Sequence, residues 1–343
     1  MKILVADFLF VKAHKNFNEN VIKALTNFAD VDVINVNDFY NKQINHENFV
    51  NFKMRLLKDG TIKTRINSFC IMCRFFFYFL KNGKKYDAVF CLAFETLTTL
   101  FANLFFCISK DRFFLFHHKN IDELEKPLKK KIFQSYQRKF THIVFEKEFA
   151  QQLKQITGLK DSFVKVVPHP IFCPYLKKED DYDCVGLCNS NDAKFIEDLY
   201  AALNAPSYSK LFFVVRSPQK LPPSVSKFVT INSFLTNEQY WNYILSAKSI
   251  FVALPQSYRF RLSGSIYDAF ASRKKVFTSS NFHASLYGNL YPGLCEYVSS
   301  AKELVDKVLN FDPNYENHEF DHFINDHSID SLSKRLSELV ENL

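Results

Sequence analysis

Val167-Pro-His-Pro-Ile-Phe-Cys-Pro174 places three prolines in seven residues, a density that neither a helix interior nor a central strand sustains. The polar, acidic run Lys177–Asp183 follows it. Together they mark a boundary, and the text on either side has the same plan. Before it, short apolar runs read as strands at Met1–Asp7, Val31–Val36, Ala88–Ala93, Arg112–His117, His142–Phe145 and Val164–Val167. Helical spacing of apolar residues separates them over 18–28, 64–81, 96–107, 127–139 and 147–156. After it come strands at Tyr182–Leu187, Leu211–Arg216, Phe228–Asn232, Ser249–Ala253 and Lys275–Ser279, with helices over 191–203, 236–247, 264–272, 301–310 and 329–342. Strand alternating with helix predicts parallel sheets covered on both faces. The expected fold is therefore α/β, with two doubly wound, Rossmann-like domains over 1–170 and 171–343 facing a cleft. The terminal helix is able to pack back on the first domain. Ligands of such sheets bind beyond the carboxyl ends of the strands, so function is sought in the loops that follow strands.

Composition agrees with a folded enzyme-sized chain. Of 343 residues, 47% are apolar and 23% charged, too apolar for disorder. Only 7 are glycine, which excludes collagen-like and low-complexity readings. The net charge of +8 suits anionic partners such as nucleotide phosphates or an anionic membrane face. Residues 87–108 are nearly long enough for a membrane span, but Glu95 and Asn103 divide them into a strand and a buried helix. Eight cysteines (70, 73, 91, 107, 173, 184, 188, 295) lie in apolar text, and no signal peptide precedes them, so reduced, buried thiols in a cytoplasmic protein are expected. Cys70-x-x-Cys73 lacks a second pair of ligands, and His142 and His169 are too indefinite for a metal centre. No P-loop, dinucleotide fingerprint or nucleophile elbow occurs, and the basic stretches carry no nucleic-acid recognition motif.

The segment Ala253–Ser280 concentrates the chemistry. A strand ends near Ala253, a loop carries Arg259 and Arg261, and Ser263-Gly264 opens a helix. Amides and dipole at a helix start favour phosphate, Gly264 lets the backbone approach an anion, and the arginines offer forked donors. Asp268 lies about one turn on, where its carboxylate suits the two hydroxyls of a ribose. The plainer reading makes Ser263 a helix cap and leaves Asp268 and the arginines in solvent. Arg216-Ser217 and the Gly186–Ser190 loop also follow strands in this half. On the functional reading, Arg261→Ala abolishes turnover and leaves the melting temperature nearly unchanged.

Arg261-Leu-Ser263-Gly264 with Asp268-Ala269 resembles the R-x-S-G-x-x-x-D-A donor motif of GT-B glycosyltransferases of the bacterial surface-polysaccharide type. Ser272–Phe277 stands where that family has G-K-P-V-I, and Val166–Pro170 resembles its V-I-P-N-P segment. The resemblance implies a C-terminal domain that binds a nucleotide sugar and an N-terminal domain that binds the acceptor. It also implies a co-substrate without a required metal. Two departures stand out: Phe260 occupies the position eight before Asp268, where many retaining members have Glu, and the glycine before the last strand is absent. Retention or inversion stays open.

Phe113–Asn120 runs from a strand into a polar loop with His117 and His118. Either imidazole suits a general base, with Asp122 and Glu123 as rivals. Adjacent strand residues face opposite sides, so at most one of the two histidines acts. Lys126–Lys139 and Arg74–Lys85 combine basic and apolar residues, as a surface attached to anionic lipid would.

The resulting expectation is a glycosyltransferase moving a sugar from a nucleotide-sugar donor to a glycan or lipid-linked glycan, cytoplasmic or peripheral at the inner membrane face. Two alternatives carry different tests. A non-catalytic two-domain binding protein would hold a nucleotide sugar or another small anionic ligand without turning it over, and an isomerase would act on the nucleotide sugar without an acceptor.

Overall fold

The computed structural model describes residues 1–6, 15–36, 49–52, 62–106, 112–172, 178–217, 227–233, 235–312 and 314–341. Cys107 and Cys173 lie outside the described residues. The chain divides into two compact units: Met1–Pro170 with Phe260–Leu262 and His327–Leu343, and Ile171–Arg259 with Ser263–Asp326.

The first unit holds strands β1 (Lys2–Ala6), β2 (Asp30–Val36), β3 (Phe49–Phe52), β4 (Ala88–Cys91), β5 (Phe113–Phe116), β6 (Thr141–Val144) and β7 (Val164–Val166). They form one parallel sheet in the order β3-β2-β1-β4-β5-β6-β7. Its helices are α1 (Lys15–Thr26), α2 (Ile62–Asn82), α3 (Thr96–Phe106), α4 (Asn120–Glu123), α5 (Pro127–Gln134) and α6 (Lys147–Thr157). Every residue of β4 and β5 is buried, as a central parallel sheet demands.

Residues 87–106 of the stretch 87–108 resolve into strand β4 and helix α3, with Glu95 accepting the Thr98 amide at 2.8 Å and so setting the helix start; 107 and 108 lie outside the described residues. Among the described residues no helix is long and apolar enough to cross a membrane. The helix expected over 127–139 is shorter than its pattern. α5 stops at Gln134, where the Ser135 hydroxyl bonds the Ile132 carbonyl at 2.7 Å, and only a 3-10 turn, Gln137–Lys139, follows. β3 was not expected.

The second unit holds β8 (Tyr182–Gly186), β9 (Phe213–Arg216), β10 (Phe228–Ile231), β11 (Ala247–Val252), β12 (Lys275–Thr278) and β13 (Cys295–Tyr297) in the parallel order β10-β9-β8-β11-β12-β13. Its helices are α7 (Ala193–Leu203), α8 (Asn237–Leu245), α9 (Gly264–Ala271), α10 (Asn281–Leu290), α11 (Ala301–Leu309) and α12 (Glu319–Asp326). Polar caps place several of these starts: Asp192 on α7, Thr236 with Gln239 as a capping box on α8, Ser280 on α10 and Ser300 on α11. α10, α12 and β13 are additions to the sequence-based plan. Gly186 lets Phe251 lie flat on β8: a Cβ there would fall 2.2 Å from the ring.

The last helix, α13 (Ile329–Glu341), belongs to the first unit. Leu332, Leu336 and Val340 join Val21 and Leu25 in one core, and the Ser333 hydroxyl donates to the Ala24 carbonyl of α1 at 2.8 Å. Cys91, Cys184, Cys188 and Cys295 are buried free thiols. The expectation of buried thiols fails on α2, where Cys70 is exposed and Cys73 half-buried because they lie on the solvent side of that helix.

Candidate functional site

In the second sheet the strand order reverses between β8 and β11, so the loops leaving those two strands diverge and open a crevice at their carboxyl ends. Asn191 ties the loops together. Its amide donates to the Gly186 carbonyl at 3.0 Å and its oxygen accepts the Ala253 amide at 3.0 Å. The Ser190 and Tyr258 hydroxyls add a bond of 2.8 Å across the same gap.

Beneath these loops lies a buried polar network. The Cys188 sulfur is surrounded by the Ser190 backbone and the Ser263 and Ser265 hydroxyls, with the Arg216 charge nearby. Burial pushes this thiol up despite those contacts. Ser265 also bonds Tyr240, whose hydroxyl donates to Asp268 Oδ2 at 2.8 Å. Desolvation lifts the Asp268 carboxyl to about 7, with the Tyr240 bond working the other way.

The Ser263 side chain is buried and makes no capping bond to α9, contrary to the plainer sequence reading. The first turn of α9 thus has no side-chain cap, and an anion is the natural partner for such amides. Gly264 is exposed, and a Cβ added there would meet nothing within 4 Å. Arg259 is exposed. Arg216, Ser263, Gly264 and Asp268 are therefore brought together in one unit, whereas Arg261 is engaged elsewhere.

Arg261 belongs to the first unit, where its Nε donates to Asp122 Oδ2, and the Phe260 amide donates to Asp122 Oδ1 at 2.8 Å. Both oxygens of Asp122 are thereby occupied, which does not suit a carboxylate acting as a base. At the end of β5 the two histidines point to opposite faces, as the strand period requires. His117 is fully buried between Phe94 and Phe133. Its Nε2 lies 2.9 Å from His142 Nδ1, and His142 Nε2 lies 2.8 Å from the Gln137 carbonyl. A carbonyl only accepts, so His142 carries its proton on Nε2 and His117 donates from its own Nε2. Burial, with His142 alongside, holds His117 well below the ordinary imidazole range. His118 is half-buried against Phe17 and Phe145, and its Nε2 donates to the Leu92 carbonyl at 2.8 Å.

Sequence reasoning missed Tyr240 and Ser265, and it treated Cys188 only as part of a turn. Tyr240 carried no signal beyond helical spacing.

No family model matches the sequence, and no curated protein matches it. Solved structures do. HepE of Anabaena in complex with UDP-glucose superposes with a TM-score of 0.67 at 11% identity, covering 100% of both chains. The fold is GT-B. UGT89C1 of Arabidopsis thaliana complexed with UDP-L-rhamnose gives 0.62 at 13% identity, covering 99% of this chain and 98% of that one. The UDP-GlcNAc 2-epimerase of Methanocaldococcus jannaschii gives 0.57 at 14% identity, covering 98% and 100%. The GT-B fold therefore carries more than one chemistry, and the activity must be argued from the site.

Proposed function

We propose that the chain is a nucleotide-sugar-dependent glycosyltransferase. The observation that carries this reading is the network Cys188–Ser263–Ser265–Tyr240–Asp268 beside Arg216, set at the strand-order reversal of the second sheet. The uncapped first turn of α9, with Arg216 and Arg259, holds the diphosphate and stabilises its charge as it leaves, without need of a metal. Asp268 accepts the ribose hydroxyls, its carboxylate oriented by Tyr240. The residues 1–170 bind the acceptor. In an inverting course His118 serves as the base that takes the acceptor hydroxyl proton as that oxygen bonds the anomeric carbon. The bond from that carbon to the diphosphate oxygen breaks, and its electron pair leaves with the nucleotide. Arg261 serves by fixing the loop that leads into Ser263 through Asp122.

The acceptor is a glycan or lipid-linked glycan of surface-polysaccharide assembly, met at the inner face of the membrane. On α2, Phe77 and Leu80 are exposed beside Lys81, and Lys84 and Lys85 follow it; on α5, Leu128 is exposed beside Lys129. An apolar and basic surface of this kind suits anionic lipid.

The test is a thermal-shift screen against UDP, GDP, CMP and dTDP sugars, followed by product mass analysis with and without an acceptor mixture. A glycosylated acceptor and free nucleotide are the expected products. An isomerised nucleotide sugar formed without acceptor would establish the epimerase-type chemistry that this fold also carries. Binding without turnover would leave a carrier protein.

A further inference from the structure

His318-Glu319-Phe320-Asp321-His322 opens α12 with two imidazoles four positions apart and a carboxylate between them. Residues 318, 319 and 322 share one face of this turn, because Phe320 and Phe323 are buried on the other. Phe323 packs on Tyr267 and Phe270 of α9 with ring centroids 5.1 Å away in each case, so the turn is anchored. Asn317 accepts the Glu319 amide at 2.9 Å and fixes the start. The Glu319 side chain is only 14% exposed and lies with one oxygen 3.2 Å from His318 Nε2 and the other 3.1 Å from His322 Nδ1. Asp321 is turned away to Arg273.

We propose that His318, Glu319 and His322 form a site for a divalent transition metal of the Zn2+ class. The three donor atoms lie within 4.8 Å of one another. Tetrahedral zinc wants neighbouring donors about 3.4 Å apart, given bonds of about 2.0–2.1 Å, and rotation of the exposed imidazoles supplies the difference. Two imidazoles and one carboxylate suit a borderline cation better than Ca2+ or Mg2+, which prefer oxygen. The chelate forms on a single ordered turn, so few side-chain rotors must be frozen. Water completes the coordination. The same H-E-x-x-H spacing serves hydrolytic zinc helices, where the glutamate acts as base. Here Glu319 touches both imidazoles and is a ligand, so the site binds and clips rather than hydrolyses. The clip fastens the start of α12, which supports the helix carrying Asp268. It does not depend on the glycosyltransferase reading.

Tag-free protein is titrated with ZnCl2 by calorimetry, beside His318→Ala, His322→Ala, Glu319→Gln and a combined Cys70→Ser, Cys73→Ser control that removes the thiol pair of α2. Wild type and the cysteine control should each bind one Zn2+ at this site, with affinity falling as protons compete at low pH. Each histidine variant should lose about tenfold or more, and Glu319→Gln less. The two histidine side chains are mostly exposed, at 78% and 61%, so the melting temperatures of their variants without metal should match wild type. Absence of binding, affinity unchanged in both histidine variants, or a loss confined to the cysteine control would overturn the proposal.

Discussion

Asp122 holds Arg261 by one carboxylate oxygen and the Phe260 amide by the other, across 139 and 138 positions of sequence. The Asp122 side chain is 5% exposed and that of Arg261 24%. Removing the guanidinium strands a buried carboxylate. Arg261→Ala should therefore cost about 2–4 kcal/mol of stability, against the sequence-based expectation of an unchanged melting temperature. Urea denaturation of Arg261→Ala, Asp122→Asn and the double variant measures this. The double variant should cost clearly less than the sum, and strict additivity would mean that the contact contributes nothing.

Asp268 titrates near pH 7 because it is desolvated. Two ribose hydroxyls donating to it favour the ionised form, so nucleotide binding should release a proton below that pH. Affinity should rise as pH goes from 6 to 8, by up to about tenfold per unit below the pKa, and then level off. Asp268→Asn should bind more weakly and lose the pH dependence. A flat wild-type profile would remove Asp268 from the ribose contact.

His117 and His142 are buried neutral, His117 well below the ordinary imidazole range and His142 at about 4. The unfolded chain takes up protons at these rings near pH 6.5 and the folded chain does not, so unfolding gains protons as pH falls. Stability should be full above about pH 7 and be lost toward pH 4, by up to about 1.4 kcal/mol per pH unit for each ring. His142→Phe should flatten this slope in denaturation curves taken between pH 7 and 5, even if its neutral-pH stability is lower.

Arg273 follows the Ser272 cap of α9 with φ of 57°, in the left-handed region that favours glycine. A non-glycine residue there is strained by about 1 kcal/mol. Arg273→Gly should be neutral or stabilising by up to about 1 kcal/mol, since it also loses an exposed ion pair to Asp321 that contributes little. Arg273→Val should destabilise by about 1–2 kcal/mol. Thermal unfolding of the two separates them, and equal melting temperatures would dismiss backbone strain at this cap.

The doubly wound plan was legible because fully buried strands such as β4 and β5 write themselves as unbroken apolar runs. β3 was not, since Phe49–Phe52 is a four-residue edge strand with an asparagine inside it. α10 hides its core face behind His283, which is buried and polar, and α12 rests on two phenylalanines only. At the candidate site, Ser263, Gly264 and Asp268 could be read because they are local to one strand-to-helix turn. Tyr240 reaches Asp268 from 28 positions away, and Asp122 reaches Arg261 from much farther. Pairings over such separations leave no local spacing to detect. The orientation of His117 into a second histidine was hidden for the same reason.

The seating of Ile329–Glu341 against Lys15–Thr26 also sets an order of events at the ribosome. The apolar seam of α1 stays uncovered in any chain that has not yet reached Ile329, whereas the second unit takes in nothing beyond Asp326. The first unit thus closes its core only after the second is complete, and the seam on α1 needs protection until α13 reaches it.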